Sequence, residues 1–444
     1  MRRFARTFER LLREEGGWTR VWTSLAMAIA LSGGAVIYNA ATSDPPAAGT
    51  ANLWIDTTTG NNACTRSSTP VAYDSTTACD DLVEAYGAAA NDDLVLIKAG
   101  SYGDQNTGPD ASINQCCVTF RPEDGAAVTI SSFYDWGASY TDVDGSTGSI
   151  EVPGGFRIAH PSSNSTLVTE ITLQHMHTET QSQIEYASEV TLRDLDIGFW
   201  CDTNGSNGED SLRFNDPTTT SGDSGDPFNI VVEDSTIGEM CWRNDPTPHP
   251  DCVAMSAGNN VTFRRNKFYE CASQGLYLIS EEGGNIHDVL IENNWFGDCS
   301  SPGGFSVCAN SLILDVRSPG LSDITVRNNS FAVGAQPMRV SGGTSSTNIQ
   351  IYGNAGEGPG CEDTGDVSYN DNVWDDTTCD ASDTQADPGF VSNASGSSLD
   401  LHLSSTSSPA CDQGAATYPS DDYDGDSRPQ DGSPEAGADE KAGC

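Results

Sequence analysis

Eight short segments of this sequence share one pattern, and the repeat restricts the fold more than any other feature. Positions one and three of each segment are apolar, position six is asparagine in five of them, and position eight is large and apolar in six. Alternation of apolar and polar positions is the period of a β-strand, and its recurrence along the chain is typical of stacked structural repeats. The segments are ITLQHMHT (171–178), VTLRDLDI (190–197), IVVEDSTI (230–237), VTFRRNKF (261–268), VLIENNWF (289–296), ITVRNNSF (324–331), IQIYGNAG (349–356) and VSYNDNVW (367–374).

The repeat predicts an all-β fold, a right-handed parallel β-helix in which each segment stacks on the next. At the strand spacing of about 4.8 Å, an asparagine amide can bond to the amides above and below it. Asparagine also tolerates the left-handed backbone of a sharp turn, which we expect at position six. A second sheet is predicted from the short strands that follow the turn. They are SLRF (211–214), CVAM (252–255), LYLI (276–279), LILD (312–315) and MRVS (338–341).

Position four of the repeat carries charges whose sign alternates from segment to segment. We expect these side chains to face solvent and to form a ladder of ion pairs on neighbouring coils, each exposed pair contributing about 0–1 kcal/mol. The ladder, with Arg265 beside it, gives several of the few basic side chains a structural role. Its charged members are Arg193, Glu233, Arg264, Glu292 and Arg327.

The composition is strongly acidic and rich in cysteine. The chain has 21 basic and 64 acidic residues, a formal net charge of −43, so binding to nucleic acid through its phosphates is excluded. Fourteen cysteines without a CxxC pair indicate disulfides and an oxidising compartment. Stacking favours Cys201–Cys241 and Cys271–Cys299, short loops favour Cys64–Cys79 and Cys361–Cys379, and Cys241–Cys252 and Cys299–Cys308 remain open.

The N-terminal region reads as an export signal. An uncharged apolar run over 21–38 follows a segment with six arginines, and it is either cleaved or retained as an anchor. A membrane contact is therefore expected only through this run, if it is retained. The predicted organisation is a signal peptide or signal-anchor helix over 1–42, a linker over 43–52, an N-terminal cap and first coils over 53–160, the central β-helix over 161–385, and a C-terminal coil and cap over 386–444.

Two insertions leave the repeat in neighbouring coils, at about 199–229 and at 239–251. Inserted loops on one face of a repeat protein usually frame its binding site. Asp210 and Asp251 occupy corresponding places before two consecutive predicted strands. Two carboxylates on adjacent coils could share a proton or a calcium ion, so calcium is the one cofactor that the sequence suggests.

The same loops supply further candidates. His249 is a candidate general base near neutral pH, and Arg243 could hold a developing anion or a sugar hydroxyl. Tyr277 and Glu281, on the next coil, are candidate substrate-binding residues. The alternative is structural: His249 lies between two prolines and could stiffen a turn, and aspartates at such positions often bond to main-chain amides.

The strand–Asn–Phe repeat resembles that of the pectate-lyase-like right-handed parallel β-helix proteins. LWID (53–56), the helix-like CDDLVEAYGAAA (79–90) and DLVLIKAGSY (93–102) resemble the first strand and N-terminal capping helix of such proteins. The resemblance implies the fold but not one activity, because this architecture hosts lyases, hydrolases, epimerases and adhesins. The NTD, GHG and RIK motifs of polygalacturonase-type hydrolases are absent, as is the RxPxxR motif of pectate lyases.

The functional expectation is a secreted or surface-anchored protein that acts on or binds an extracellular polysaccharide. As an enzyme it would be a polysaccharide lyase, a glycoside hydrolase or an epimerase. The alternative is a non-catalytic adhesin or a structural surface protein.

Overall fold

The computed structural model describes residues 49–61, 64–108, 113–160, 167–198, 210–215, 225–240, 250–279, 285–298, 310–316, 320–335, 338–341, 346–361, 366–394, 396–430 and 432–444, and the backbone of 201–202 and 241–242. Residues Ala47–Cys444 form one compact unit. No helix among the described residues is long and apolar enough to cross a membrane.

Three long parallel sheets make up the body, and the chain visits them in turn. The first sheet contains Leu53–Ile55, Leu94–Ile97, Val118–Pro122, Thr141–Asp144, Val168–Gln174, Ala187–Arg193, Phe228–Glu233, Gly258–Arg264, Ile286–Glu292, Leu321–Arg327, Thr347–Tyr352 and Val367–Asn370. The second contains Gly100–Tyr102, Ala127–Ile130, Ser149–Val152, Met176–Thr178, Asp196–Gly198, Thr236–Gly238, Lys267–Tyr269, Trp295–Phe296, Ser330–Phe331, Ala355–Gly356, Val373–Trp374 and Thr384–Gln385. The third contains Gln105–Thr107, Phe133–Trp136, Phe156–Ala159, Ser182–Ile184, Leu212–Phe214, Val253–Met255, Gln274–Ile279, Asn310–Asp315 and Arg339–Ser341.

Smaller elements complete the described structure. Thr50–Ala51 pairs with Val71–Ala72 and Phe390–Ser392 with Asp400–Leu403, both antiparallel, and Cys201–Asp202 runs parallel to Cys241–Trp242. A short 3₁₀ helix spans Gly396–Ser398.

An α-helix over Leu82–Ala88 lies within the helix-like segment of the sequence. Asp81 caps its N-terminus by accepting the N–H of Glu84, and Leu82 and Tyr86 pack into the interior core of the coils.

The eight predicted segments stack in the register in which the sequence aligns them. Ile171 pairs with Val190, and the same repeat position continues strand by strand to Val367. At position eight the rings of Phe268, Phe296 and Phe331 stack at 4.8 and 4.9 Å, the strand spacing itself. The parallel β-helix is therefore confirmed. One detail differs. The residues just after the turn form a separate sheet of short strands, so the strands that were predicted as the second sheet belong to the third sheet.

The asparagine column at position six is present and fully bonded. Between neighbouring coils, the backbone N–H and the Nδ2 of one asparagine both donate to the Oδ1 of the asparagine on the following coil, at 2.9–3.0 Å. Asp383 receives the last pair of bonds, from Asn372. The left-handed backbone was expected at position six but occurs at position five, where φ is 49° to 64° in all eight segments. The chain must bend one residue earlier so that the asparagine can point inward.

The ion-pair ladder at position four is also present. Glu233 binds Arg193 at 2.5 Å and Arg264 at 2.6 Å, and Glu292 binds Arg327 at 2.6 Å. The expectation that all these side chains face solvent is wrong for the acids, because Glu233 is 1% exposed and Glu292 is 6% exposed. The longer arginine side chains fold over the shorter glutamates and cover them.

The C-terminal segment 386–444 packs over the outside of the second sheet. Trp295, which points outward from that sheet, stacks on Tyr423 with ring centroids 3.9 Å apart. Lys267 donates to the carbonyl of Leu399 at 2.8 Å, and a second apolar cluster fills the space between sheet and segment. The outside of the second sheet is therefore not available to a large ligand over these coils.

Five disulfides lie in the described part of the chain. Cys64–Cys79 and Cys361–Cys379 are as predicted, and Cys116–Cys117 and Cys411–Cys444 were not foreseen. The fifth joins Cys252 to Cys271, so the predicted Cys271–Cys299 bond and the alternative Cys241–Cys252 are wrong. Alignment of the repeat segments does not pair these two cysteines, because each of them lies just before a strand of the third sheet, Cys252 before Val253–Met255 and Cys271 before Gln274–Ile279. The backbone pairs Cys201 with Cys241 in register.

Candidate functional site

The outer face of the third sheet carries a line of side chains unlike those of the rest of the chain. Strand pairing places one outward residue from each of nine strands in a single column parallel to the solenoid axis, which we call the third-sheet column. Its members, in order, are Asn106, Tyr134, Arg157, Gln183, Arg213, Ala254, Tyr277, Ile313 and Arg339. The column holds three arginines and no acid, in a chain where acids outnumber bases three to one.

Strand geometry explains why the column forms. The residues on either side of each member point inward and are buried, as Phe133 and Asp135 do beside Tyr134. Neighbouring strands are about 4.8 Å apart, so nine in-register strands repeat the outward position at that interval. The ends of the column are exposed or half-buried, whereas Ala254, Tyr277 and Ile313 in its middle are buried.

Polar contacts fix the half of the column nearest the N-terminus. Arg157 Nη2 donates to Glu185 at 2.6 Å, and Asn215 Nδ2 donates to the other Glu185 oxygen at 3.4 Å. Arg213 Nε and Ser256 Oγ both donate to Asn215 Oδ1, at 2.5 and 3.3 Å. These hydrogen bonds connect residues of neighbouring strands and fix the positions of Arg157 and Arg213.

A second polar group lies further along the column. The hydroxyl of Tyr277 donates to Asp315 Oδ2 at 2.9 Å. Burial raises the pKa of Asp315, and the hydrogen bond from Tyr277 and the charge of Arg339 partly offset that rise. A phenol bonded to a buried carboxylate can exchange a proton with it, so Tyr277 and Asp315 are the described residues of this face best placed for proton transfer.

The structure places the two predicted aspartates at the start of neighbouring third-sheet strands. Asp251 donates its backbone N–H to Asp210 Oδ1 at 2.9 Å, and Asp251 Oδ1 accepts the N–H of Gln274 at 3.0 Å. Each aspartate therefore binds a main-chain amide of the following coil. Tyr277 lies in the third-sheet column, as described above. The predicted site residues Arg243, His249 and Glu281 lie outside the described residues.

Acidic clusters that could hold a cation occur elsewhere in the described chain. Three groups bring one ligand atom from each of three side chains within 4.8 Å of one another, and none of them contains Asp210 or Asp251. The groups are His402, Asp424 and Asp439; Asp80, Asp81 and Glu84; and Glu357, Asp375 and Asp376. Carboxylates suit calcium, but calcium takes six to eight oxygens, of which Asp210 and Asp251 could supply only part. Calcium at Asp210 and Asp251 stays a prediction.

Sequence reasoning did not single out Arg157, Glu185, Arg213, Asp315 and Arg339. The signal was present, because three of these residues stand inside the predicted strands SLRF, LILD and MRVS. Reading those strands for their outward positions, as well as for their apolar ones, identifies the column.

Comparison with known proteins gives a weak likeness to polysaccharide lyases. No family model and no curated protein matches the chain. Among solved structures, a pectate lyase matches with a TM-score of 0.47 at 14% identity, covering 88% of this chain and 96% of that one. An alginate lyase from Paenibacillus sp. str. FPU-7 matches with a TM-score of 0.31 at 13% identity, covering 65% and 94%. A rhamnogalacturonan lyase matches with a TM-score of 0.34 at 14% identity, covering 77% and 90%. Similarity at this level transfers no activity to this chain.

Proposed function

We propose that this protein is exported and that it binds and cleaves an extracellular polysaccharide along the outer face of its third sheet. The observation that carries the proposal is the third-sheet column, which lines up arginine, amide and aromatic side chains over nine coils. The five disulfides support an oxidising, extracytoplasmic location. The secreted and the surface-anchored forms both remain part of the proposal.

The outward faces of the three sheets differ in a way that favours this location. The C-terminal segment covers part of the second sheet, and the position-four charges of the first sheet neutralise one another in the ion-pair ladder. The third-sheet column itself contains arginines and no acid, and Glu185, which binds Arg157, lies beside it. An extended polymer with a repeating unit matches a surface whose own side chains repeat at about 4.8 Å, and arginine suits carboxylate or sulfate groups.

The geometry favours elimination over hydrolysis at this face. Glycoside hydrolysis uses two carboxylates about 5–9.5 Å apart. Among the described residues, Glu185 and Asp315 are outward carboxylates of this face, and four strand spacings, about 19 Å, separate their strands. Asp210 and Asp251 lie on neighbouring strands, but each is bonded to a main-chain amide. A lyase needs instead a base for the proton next to the sugar carboxylate, a cation to stabilise the resulting anion, and an acid for the leaving oxygen.

Tyr277 and Asp315 can supply the proton steps. As Asp315 takes the phenol proton, the Tyr277 oxygen takes the ring proton of the sugar. The carbon–oxygen bond to the next sugar then breaks, a double bond forms in the ring, and the departing oxygen recovers a proton from this pair. Arg339 stabilises the anion that develops on the sugar carboxylate. We retain His249, Arg243, Asp210, Asp251 and Glu281 as proposed contributors from the adjoining loops, with calcium as the proposed cofactor.

A panel of polysaccharides tests the proposal with the purified full chain. The panel includes polygalacturonate, alginate, rhamnogalacturonan, xylan and a neutral glucan, each with calcium and with a chelator. Ultraviolet absorbance detects unsaturated products, new reducing ends detect any cleavage, and slowed migration in polysaccharide-containing gels detects binding. We expect unsaturated product from an anionic member, abolished by Tyr277→Phe and reduced by Asp315→Asn. Tyr352→Phe, on the outer face of the first sheet, is the matched control and should leave the rate unchanged.

A non-catalytic binding protein is the second candidate. It is favoured by the bonds of Asp210 and Asp251 to main-chain amides, which is what turn-forming aspartates do. Slowed migration without any product would select this candidate. An absence of both binding and cleavage over the whole panel would rule out both candidates.

A further inference from the structure

Two exposed aromatic side chains mark a part of the third sheet that lies far from Tyr277. Tyr134 and Trp136 both point outward from the strand Phe133–Trp136 and are 38% and 37% exposed. Five strand spacings, about 24 Å, separate this strand from the one that carries Tyr277. An open cavity of about 460 Å³ lies against the two rings, and Asn106 and Arg157 complete its lining.

Arg157 is held rigidly between the aromatic rings and the polar network. Its guanidinium lies 5.4 Å from the centre of the Trp136 ring, and the same group donates to Glu185 at 2.6 Å. Glu185 is only 5% exposed, so this carboxylate fixes the arginine from below. A ligand that enters the cavity therefore meets side chains that are already ordered, which lowers the entropy cost of binding.

A second depression shares Tyr134 and Arg157 with the first. Its lining also includes Gly154, Gly155 and the amides of Gln181 and Gln183, which are hydrogen-bonded to each other. Gly155 has φ of +71°, and a Cβ there would lie 2.2 Å from the carbonyl oxygen of Gln181. Close packing of the coils therefore requires glycine at this position.

The chemistry of both depressions fits a sugar. A pyranose ring presents C–H groups on its faces and hydroxyl groups around its edge. The C–H groups are attracted to the negative faces of aromatic rings, and hydroxyl groups pair with amides and guanidinium. The arrangement of two aromatic rings, one fixed arginine and three amides provides for both kinds of contact.

We propose that Tyr134, Trp136, Arg157 and Asn106 form a distal sugar-binding subsite that grips the same polysaccharide about 24 Å from Tyr277. This inference rests on the proposed function. A polysaccharide bound at both places must cross five coils, so long chains bind more tightly than short ones and are held at two points.

Binding measurements with chains of two lengths test the subsite. The probes are the polysaccharide that most slows migration of the full chain in the panel above, and a disaccharide prepared from it. Trp136→Ala and Tyr134→Ala should each weaken binding of the long chain about tenfold. Trp136→Phe should retain most of the affinity, and Val391→Ala, an exposed apolar residue away from this sheet, should retain all of it. Disaccharide cleavage or binding near Tyr277 should be unchanged in every variant.

The possible outcomes separate this inference from the proposed function. If no polysaccharide binds the wild-type chain, the proposed function fails and the subsite fails with it. If the wild-type chain binds but Trp136→Ala and Tyr134→Ala bind the long chain equally well, the subsite alone is refuted. Equal weakening for long and short probes also refutes it, since that result indicates a structural disturbance.

Discussion

Replacing Asn294 by leucine tests whether the asparagine column holds the coils together. The side chain of Asn294 donates from Nδ2 to the carbonyls of Phe263 and Glu292 and to Asn329 Oδ1, at 2.9–3.0 Å. Its Oδ1 accepts two further bonds from Asn266. Leucine has the same number and branching of side-chain heavy atoms and makes none of these bonds. At about 1 kcal/mol net for each hydrogen bond, and more for a buried group left unpaired, we expect a loss of about 3–5 kcal/mol.

Equilibrium unfolding in urea, followed by circular dichroism, measures this loss as a lower midpoint. Gln350→Leu is the matched control, because it removes an amide from the outer side of a first-sheet strand and should cost less than about 0.5 kcal/mol. Asn294→Asp keeps the shape but replaces the two N–H donors by a charge, so it should destabilise more than leucine at neutral pH. If Asn294→Leu costs no more than Gln350→Leu, the column does not stabilise the fold and our account of the repeat is incorrect.

Three further predictions concern ionisable groups outside the asparagine column. Burial raises the pKa of Asp135 well above its usual value, so the neutral carboxyl stabilises the fold below the pKa of the unfolded state, and this stabilisation is lost as pH rises through the folded-state pKa. Asp135→Asn should therefore raise the urea midpoint at pH 7 and make the midpoint decline less with rising pH. An unchanged pH profile would contradict this prediction. Hydrogen bonds to Asp424 and Asp400 raise the pKa of His402 to about 9, so this group should contribute a fall in stability between pH 6.5 and 9, and the fall should be smaller in His402→Gln than in the wild-type chain. Arg265 binds Asp234 at 2.7 Å and Asp421 of the C-terminal segment at 2.9 Å. Arg265→Met should lower the free energy of unfolding by about 3 kcal/mol and speed amide hydrogen exchange in residues 396–444. Faster exchange confined to other regions would argue against this anchoring role.

The fold could be predicted from the sequence because the repeat is local and redundant. Each eight-residue segment contains the pattern of the strand, the turn and the stacked apolar residue, and all eight segments predict the same structure. The residue that takes the left-handed conformation was placed one position too late. Position five is aspartate, asparagine or glycine in six of the eight segments, and these types tolerate that backbone, but the asparagines of position six drew the turn prediction to themselves. The disulfide from Cys252 to Cys271 was missed for a related reason, since it depends on how the inserted loops return to the third sheet.

The candidate face was harder to predict because its residues are far apart in the sequence and only the register brings them together. The same register also explains why the arginines of the first and third sheets meet different neighbours. On the first sheet, unlike charges stand on adjacent strands, about 4.8 Å apart, and each arginine is neutralised by its neighbour. In the third-sheet column, Arg157 and Arg213 are two strands apart with Gln183 between them, and the acid that binds Arg157 is Glu185, which lies beside the column and not in it. A polyanion laid along this face would meet positive charge at intervals on a protein that otherwise repels it, and the overall charge of −43 thereby restricts where such a polymer can bind.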